Sequence, residues 1–361
     1  MKAAGPYVSF VSYFRNDGYT SDFEQRVQRA TRLLAHQLNK AAIPAELILV
    51  EWNPPDDRPL IIDSIGPLPQ GGSVRVRGVL VGRDHHERFR GAADWGMNPA
   101  AAANVGLRRA EGRFISPKAA DSYLSQEIID VLARRDLDER AIYRCDRHDV
   151  ELTNEALAEP DDDRLLAHLE ALESHRHARL PPMSHWHIRD LHTNACGDFL
   201  LMSRDRWHEI RGFPLDGTVL SLDCDSMVMH AAVALGQHEV CLPDGCRVFK
   251  GVHARLFSSR ITQVFTPWQE RLEAVLTWGR WWRLLALARI AFDYPRRKVR
   301  GVDSVIAPSI ERHFLKPAEA WARGEIPNLN QPANWGLGDQ PLEERLLCRA
   351  NWDATGGAAA A

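Results

Sequence analysis

Several marks of familiar protein classes are missing from this 361-residue chain. Its six cysteines, Cys145, Cys196, Cys224, Cys241, Cys246 and Cys348, form no CxxC pair. That spacing argues against a zinc module or a disulfide frame. With no secretory signal ahead of them, reduced thiols in a cytoplasmic chain are the expectation. There is no surplus of positive charge: 45 Lys and Arg stand against 48 Asp and Glu, for a formal charge of −3. No global field draws nucleic acid, so any anionic ligand has to be held locally. Nor is there an unbroken apolar run long enough for a membrane span. The longest, AVLTWGRWWRLLALARIAF at 274–292, is interrupted by Arg280, Arg283 and Arg289, too many charges for the hydrocarbon core of a bilayer.

What is present alternates between two periods. YVSFVSYF (7–14), AELILVEW (45–52), VRVRGVLV (74–81) and RFIS (113–116) read as strands, rich in β-branched and aromatic residues and bounded by polar turns. Between them, SDFEQRVQRATRLLAHQLNK (21–40) and PAAAANVGLRRAEG (99–112) carry helical spacing, the second closed by glycine. This succession predicts an α/β fold: a mostly parallel sheet with helices on both faces. Ligands of such sheets bind beyond the carboxyl ends of the strands, so the loops at 15–19, 51–58 and 116–122 should converge on one site. Further on, 141–150 reads as one strand, 159–187 as a polar helix and a loop, 197–214 as a strand and helix, 222–236 as a helix and 246–253 as a last strand. The loop histidines His175, His177, His185 and His187 have no ordinary ligand spacing and read as solvated. A chain of this length suits one large α/β domain with appendages or two domains, and its composition does not force two.

Acids punctuate the pattern at places where chemistry could use them. Glu51 follows the apolar run LILV on the expected binding rim, and Asp121 stands alone in the turn between a strand and a helix. Asp223 and Asp225 open the helix at LDCDSM, where the helix N-terminus stabilises an anion and keeps it ready to accept a proton. Either acid of that pair also suits a plain N-cap.

The blocks VSFVSYFRND, ELILVEWNPP, ANVGLRRAEGRFI, GDFLLMSRDRW, LDCDSM and VFKGVH, in that order, resemble GT-A glycosyltransferases of the family 2 type over about residues 7–255. More narrowly, RND, VEWNPP, NVGLRRAEG, YRCDRHDV, GDFLLM and NWGL resemble a predicted subgroup of family 2-like enzymes. The resemblance implies a GT-A domain over 1–258, a C-terminal helical extension and lid over 259–350, and a disordered tail over 351–361. It implies transfer of a sugar from a nucleotide-sugar donor, UDP-linked, to the hydroxyl of a glycan or lipid-linked acceptor, with inversion, in surface glycan or glycoconjugate synthesis.

Residue by residue, the resemblance puts Arg15, Asn16, Asp17 and Glu51 near the base and ribose, with Asn104 and Lys118 toward the donor. It makes Asp225 the general base, counted 11 positions back from Gly236, with Asp223 beside it. Asp198 takes acceptor and sugar contacts, and Trp335 offers an aromatic face to a sugar ring. Asp121 and His253 become the ligands of Mn²⁺ or Mg²⁺. Because Ala119 occupies the place of the first acid of the usual acidic pair, that ion should be weakly held or dispensable, with the Lys118 ammonium supplying part of its charge.

The Trp- and Arg-rich stretch 268–298 suits either a helical subdomain packed on the sheet or a segment lying on an anionic membrane face. The second option would give a cytoplasmic enzyme bound to the inner face of the membrane. Two rival functions stay open: a sugar-nucleotide nucleotidyltransferase, against which the loop SYFRNDGYTSD lacks a glycine-rich, basic phosphate cradle, and a non-catalytic binder of nucleotide sugar or glycan.

Overall fold

In a computed structural model the chain is described over residues 5–18, 20–177, 191–192, 195–215, 217, 224–252, 325 and 333–355. The expectations for His253, Asp223, His185, His187, the 268–298 segment and the end of the tail fall outside the described residues.

The mostly parallel sheet is there. Strands β1 (Val8–Phe14), β2 (Ala45–Trp52), β3 (Val74–Val81) and β4 (Phe114–Ala119) pair in parallel, with β1 in the centre between β2 and β4. β6 (Ala141–Arg144) and β10 (His238–Cys241) pair in parallel further out, joined to β4 through the antiparallel β9 (Leu200–Ser203). The full order is β10-β6-β9-β4-β1-β2-β3-β12, eight strands, with β12 (Glu343–Cys348) antiparallel along the β3 edge. This is the α/β architecture, a mostly parallel sheet flanked by helices, that the sequence implied.

Strands buried on both faces need apolar residues at odd and even positions alike. In β2, Leu47 and Leu49 enter the core under α1 (Phe23–Lys40), while Ile48 and Val50 enter the core under α4 (Pro99–Arg109). β1 divides the same way, with Phe10 and Phe14 on the first face and Val11 on the second. α4 begins as its sequence dictates: the Asn98 side chain accepts from the Ala101 amide at 3.0 Å and Pro99 occupies the first turn. It lies close on the sheet at Gly106, where any Cβ would come within 2.3 Å of Val11 Cγ1. The α4 face also carries α8 (Arg204–Ile210) and α9 (Cys224–Ala234).

A second, four-stranded sheet runs β5-β11-β7-β8, from β5 (Ser122–Leu124), β11 (Arg247–Gly251), β7 (Asp146–Val150) and β8 (Ser174–His177). It stacks over α1, α6 (Asn154–Leu157) and α7 (Asp162–Ala171) through Leu33, Tyr123, Val150, Leu157, Leu165 and Phe249.

Three local expectations change. The run 141–150 is two strands broken at Cys145, β6 serving the large sheet and β7 the small one, so an apolar half and an alternating polar half part company. His175 and His177 lie in strand β8, not in a loop: β8 pairs antiparallel with β7, and Asp149 Oδ2 meets His177 Nε2 at 2.9 Å across that pair. Within the stretch expected to be helical extension and tail, Glu343–Cys348 is an edge strand and Asn351–Thr355 a 3₁₀ turn. Antiparallel pairing with β3 and Arg75 stacking 4.7 Å over the Trp352 ring hold them there. No helix among the described residues is long and apolar enough to cross a membrane.

Candidate functional site

β4 creates the opening. Its antiparallel pairing with β9 covers only Phe114 and Ile115. Two residues on, Pro117 has no N–H to donate, so the strand can run on without a neighbour on that side. The 3₁₀ turn Cys196–Asp198 packs there instead. Arg144, fully buried at the end of β6, fixes that turn by donating to the carbonyls of His192 at 3.2 Å and Cys196 at 3.3 Å.

Charged side chains collect where β4 ends. Lys118 is buried, its Nζ donating to the Ala119 carbonyl at 2.9 Å. Burial pushes its pKa down to about 7; Asp121 and Asp198 pull it up, and Lys250 pushes it down further. Asp121, in the turn from β4 to β5, is buried and ion-paired through Oδ1 with Lys250 Nζ of β11. Asp198 accepts from Arg147 Nη1 of β7 at 3.1 Å, and Arg147 also grips Asp149 at 2.6 Å.

Asp225, in the first turn of α9, accepts from the Ser226 amide at 2.9 Å and packs so tightly on the turn that a Cβ on Gly197 would sit 2.9 Å from its Oδ2. Burial raises the Tyr13 phenol well beyond its ordinary range, and the fields of Cys224, Asp198 and Asp225 add to the effect. Tyr13 at the end of β1, Lys118, Asp121, Asp198, Asp225 and Lys250 thus come from five segments to one end of the parallel strands.

The expected nucleotide-side residues are placed around the rim by their own bonds. Arg15 Nε donates to the Asn53 carbonyl at 2.6 Å and its Nη1 pairs with Asp17 at 3.3 Å, while Asn16 donates to the Pro59 carbonyl at 2.9 Å. Glu51 is fully buried at the end of β2 and accepts from the amides of Ile61 and Ile62, each at 3.0 Å, capping the short helix α2 (Ile61–Ser64). Burial raises its pKa and those two amides oppose the rise. Asn104 lies in the α4 layer, donating to the Phe213 carbonyl at 2.8 Å and accepting from the Phe213 amide at 2.6 Å. Trp335 is buried in the same layer, edge-on to His208 at 5.4 Å and under Arg108 at 5.4 Å.

Lys250 and Arg147 escaped the sequence reading. A signal existed for Lys250: in VFKG it shares a strand face with Val248, which enters the main core, so an inward lysine needs an acid.

A divalent ion at Asp121 would require hard oxygen ligands and a net negative cage. Here Ala119 offers no ligand, and the Asp121 carboxylate is paired with one ammonium and lies near a second. The described residues do not fit Mn²⁺ or Mg²⁺ at this position.

No family model matches the chain, and no curated protein does. Among solved structures, the chain is similar to S. aureus TarS 1-349, at TM-score 0.44 and 13% identity over 88% of this chain and 89% of that one. It is also similar to the same protein in complex with UDP-GlcNAc, at TM-score 0.42 and 13% identity over 70% and 60%. The catalytic domain of Drosophila beta1,4galactosyltransferase 7 in complex with xylobiose gives TM-score 0.33 and 14% identity over 65% and 63%. Against a longer S. aureus TarS chain the match spans 36% of that chain. Scores this low leave the function to be read from the chain's own residues.

Proposed function

We propose that the chain is a glycosyltransferase that takes a sugar from a nucleoside diphosphate donor, UDP-linked, and passes it to an acceptor hydroxyl with inversion. The observation that carries this is the cluster of charge at the end of the parallel strands: the buried amines of Lys118 and Lys250 gathered around the single carboxylate of Asp121, with the carboxylates of Asp198 and Asp225 nearby. The leaving diphosphate needs cations, and the two lysines supply them without a metal. The acceptor hydroxyl needs a base, and Asp225, in the first turn of α9, is the carboxylate packed against the Cys196–Asp198 turn. Asp198, held by Arg147, offers the second carboxylate for sugar or acceptor hydroxyls. In this arrangement the lysines draw electron density toward the departing oxygen while Asp225 takes the acceptor proton, and the acceptor oxygen bonds to the anomeric carbon from the opposite side.

The inverting mechanism, the hexosyl class of sugar, and a glycan or lipid-linked acceptor belong to this proposal, as does a place in surface glycan synthesis. Incubation with a panel of nucleotide sugars tests it. Sugar release or transfer by the wild type, lost in Asp225→Asn while UDP still binds, supports the enzyme; UDP binding without turnover of any donor supports the non-catalytic binder.

A further inference from the structure

A second cluster lies at the outer edge of the large sheet, on β10, with β9 and β6 between it and β4. Cys241 ends β10, Glu239 precedes it by two positions on the same strand, and His192 is brought beside them by the segment that Arg144 fixes. His192 Nδ1 is 3.9 Å from Cys241 Sγ, and Cys241 Sγ is 3.7 Å from Glu239 Oε1; one ligand atom from each residue falls within 4.8 Å of the others. Glu239 also accepts from the His192 amide, at 3.0 and 3.1 Å through its two oxygens, which fixes the histidine's approach.

We propose that His192, Glu239 and Cys241 form a binding site for a zinc-class transition metal ion, separate from the transfer site and independent of the function proposed above. Bond lengths of about 2.0 Å to nitrogen and about 2.3 Å to sulfur place tetrahedral ligand atoms roughly 3.5 Å apart. The observed 3.9 and 3.7 Å reach that with a shift of a few tenths of an ångström. One thiolate, one imidazole and one carboxylate suit zinc over magnesium or calcium, which prefer oxygen alone. The far ring nitrogen supports this: His192 Nε2 is 3.4 Å from Asp146 Oδ1, outside hydrogen-bonding geometry, and a small turn of the ring on metal binding would let that carboxylate orient the imidazole and raise its basicity. Cys241 is exposed, which gives the ion access and leaves the fourth position to water. The ion would fasten His192 to the sheet edge and, through Arg144, which binds the His192 and Cys196 carbonyls, steady the Asp198 turn.

Metal-stripped full-length chain titrated with Co²⁺ tests this. The expected result is one Co²⁺ per chain with tetrahedral visible bands and a near-ultraviolet thiolate charge-transfer band, both erased by Zn²⁺ and unaffected by excess Mg²⁺. Cys241→Ser, at an exposed position, should remove the charge-transfer band, and Asp146→Asn should weaken binding roughly 10–100-fold. Independently of any variant, Zn²⁺ should protect Cys241 from alkylation in the wild type, with the half-buried Cys224 as internal control. No Co²⁺ uptake, a charge-transfer band that survives Cys241→Ser, or alkylation of Cys241 unchanged by Zn²⁺ would each overturn the site.

Discussion

Lys250 Nζ and Asp121 Oδ1 form a buried ion pair that joins the β4–β5 turn of the large sheet to β11 of the small one. Their side chains are 8% and 4% exposed, so neither charge has water to fall back on. The position a divalent ion would need is filled by a side-chain cation 129 residues away in sequence.

The pair should therefore matter to folding and to ligand binding in separable ways. Lys250→Met leaves Asp121 charged and buried, and should cost about 3–5 kcal/mol in denaturant unfolding. Lys250→Met with Asp121→Asn should recover most of that stability but not UDP affinity. Recovery of both in the double variant would make the pair purely structural.

Charge at Lys118 should follow the ligand. Its pKa is pushed down to about 7 by burial, so it is half neutral near neutral pH. A diphosphate brings negative charge and raises that pKa, so UDP binding should take up protons and weaken as pH rises above about 7. Calorimetry in buffers of different ionisation enthalpy reads the uptake, and Lys118→Met should abolish it. The same shift acts on folding. The unfolded lysine holds its proton up to its ordinary pKa of 10.5, so between about 7 and 10.5 the unfolded state binds more protons and this residue's contribution to stability increases with pH.

A metal-using site should be within reach of two substitutions. Ala119→Asp with Lys250→Ala restores two carboxylates and removes the competing ammonium. Mn²⁺ should strengthen UDP binding in that double variant and do little for Lys250→Ala alone, as titrations with and without the ion would show.

Far from the site, Glu46 is a test of the scaffold. It is fully buried in β2, accepting from Arg75 at 2.6 Å, Arg77 at 2.9 Å, Ser9 at 2.8 Å and the Glu111 amide at 3.0 Å. Glu46→Ala leaves Arg75 with Glu111 and Asp353 and Arg77 with Glu344, but takes the acceptor from the Ser9 hydroxyl and the Glu111 amide, and should cost about 1–3 kcal/mol by chemical denaturation. UDP affinity of the folded fraction should stay at the wild-type value.

The alternation of Phe10, Val11, Leu47 and Ile48 between two cores is a local pattern, and the sequence shows it. The same holds for Asp121, because strand ends and turns are local too. Lys250 on Asp121, β12 on β3 and Cys241 beside His192 are pairings across 129, more than 260 and 49 residues, which no period of 2 or 3.6 encodes. The break at Cys145 was hidden for a related reason: β6 and β7 are contiguous in sequence and diverge only because two sheets compete for them.

The central claim is that the end of the parallel strands holds a nucleoside diphosphate by its own lysines. Calorimetric titration of UDP into the wild-type chain in excess EDTA tests it most directly. The account expects saturable one-to-one binding, unchanged when Mn²⁺ replaces EDTA and lost in Lys250→Ala with a folded-state check by circular dichroism. Binding that appears only with Mn²⁺, or that survives Lys250→Ala undiminished, would contradict it.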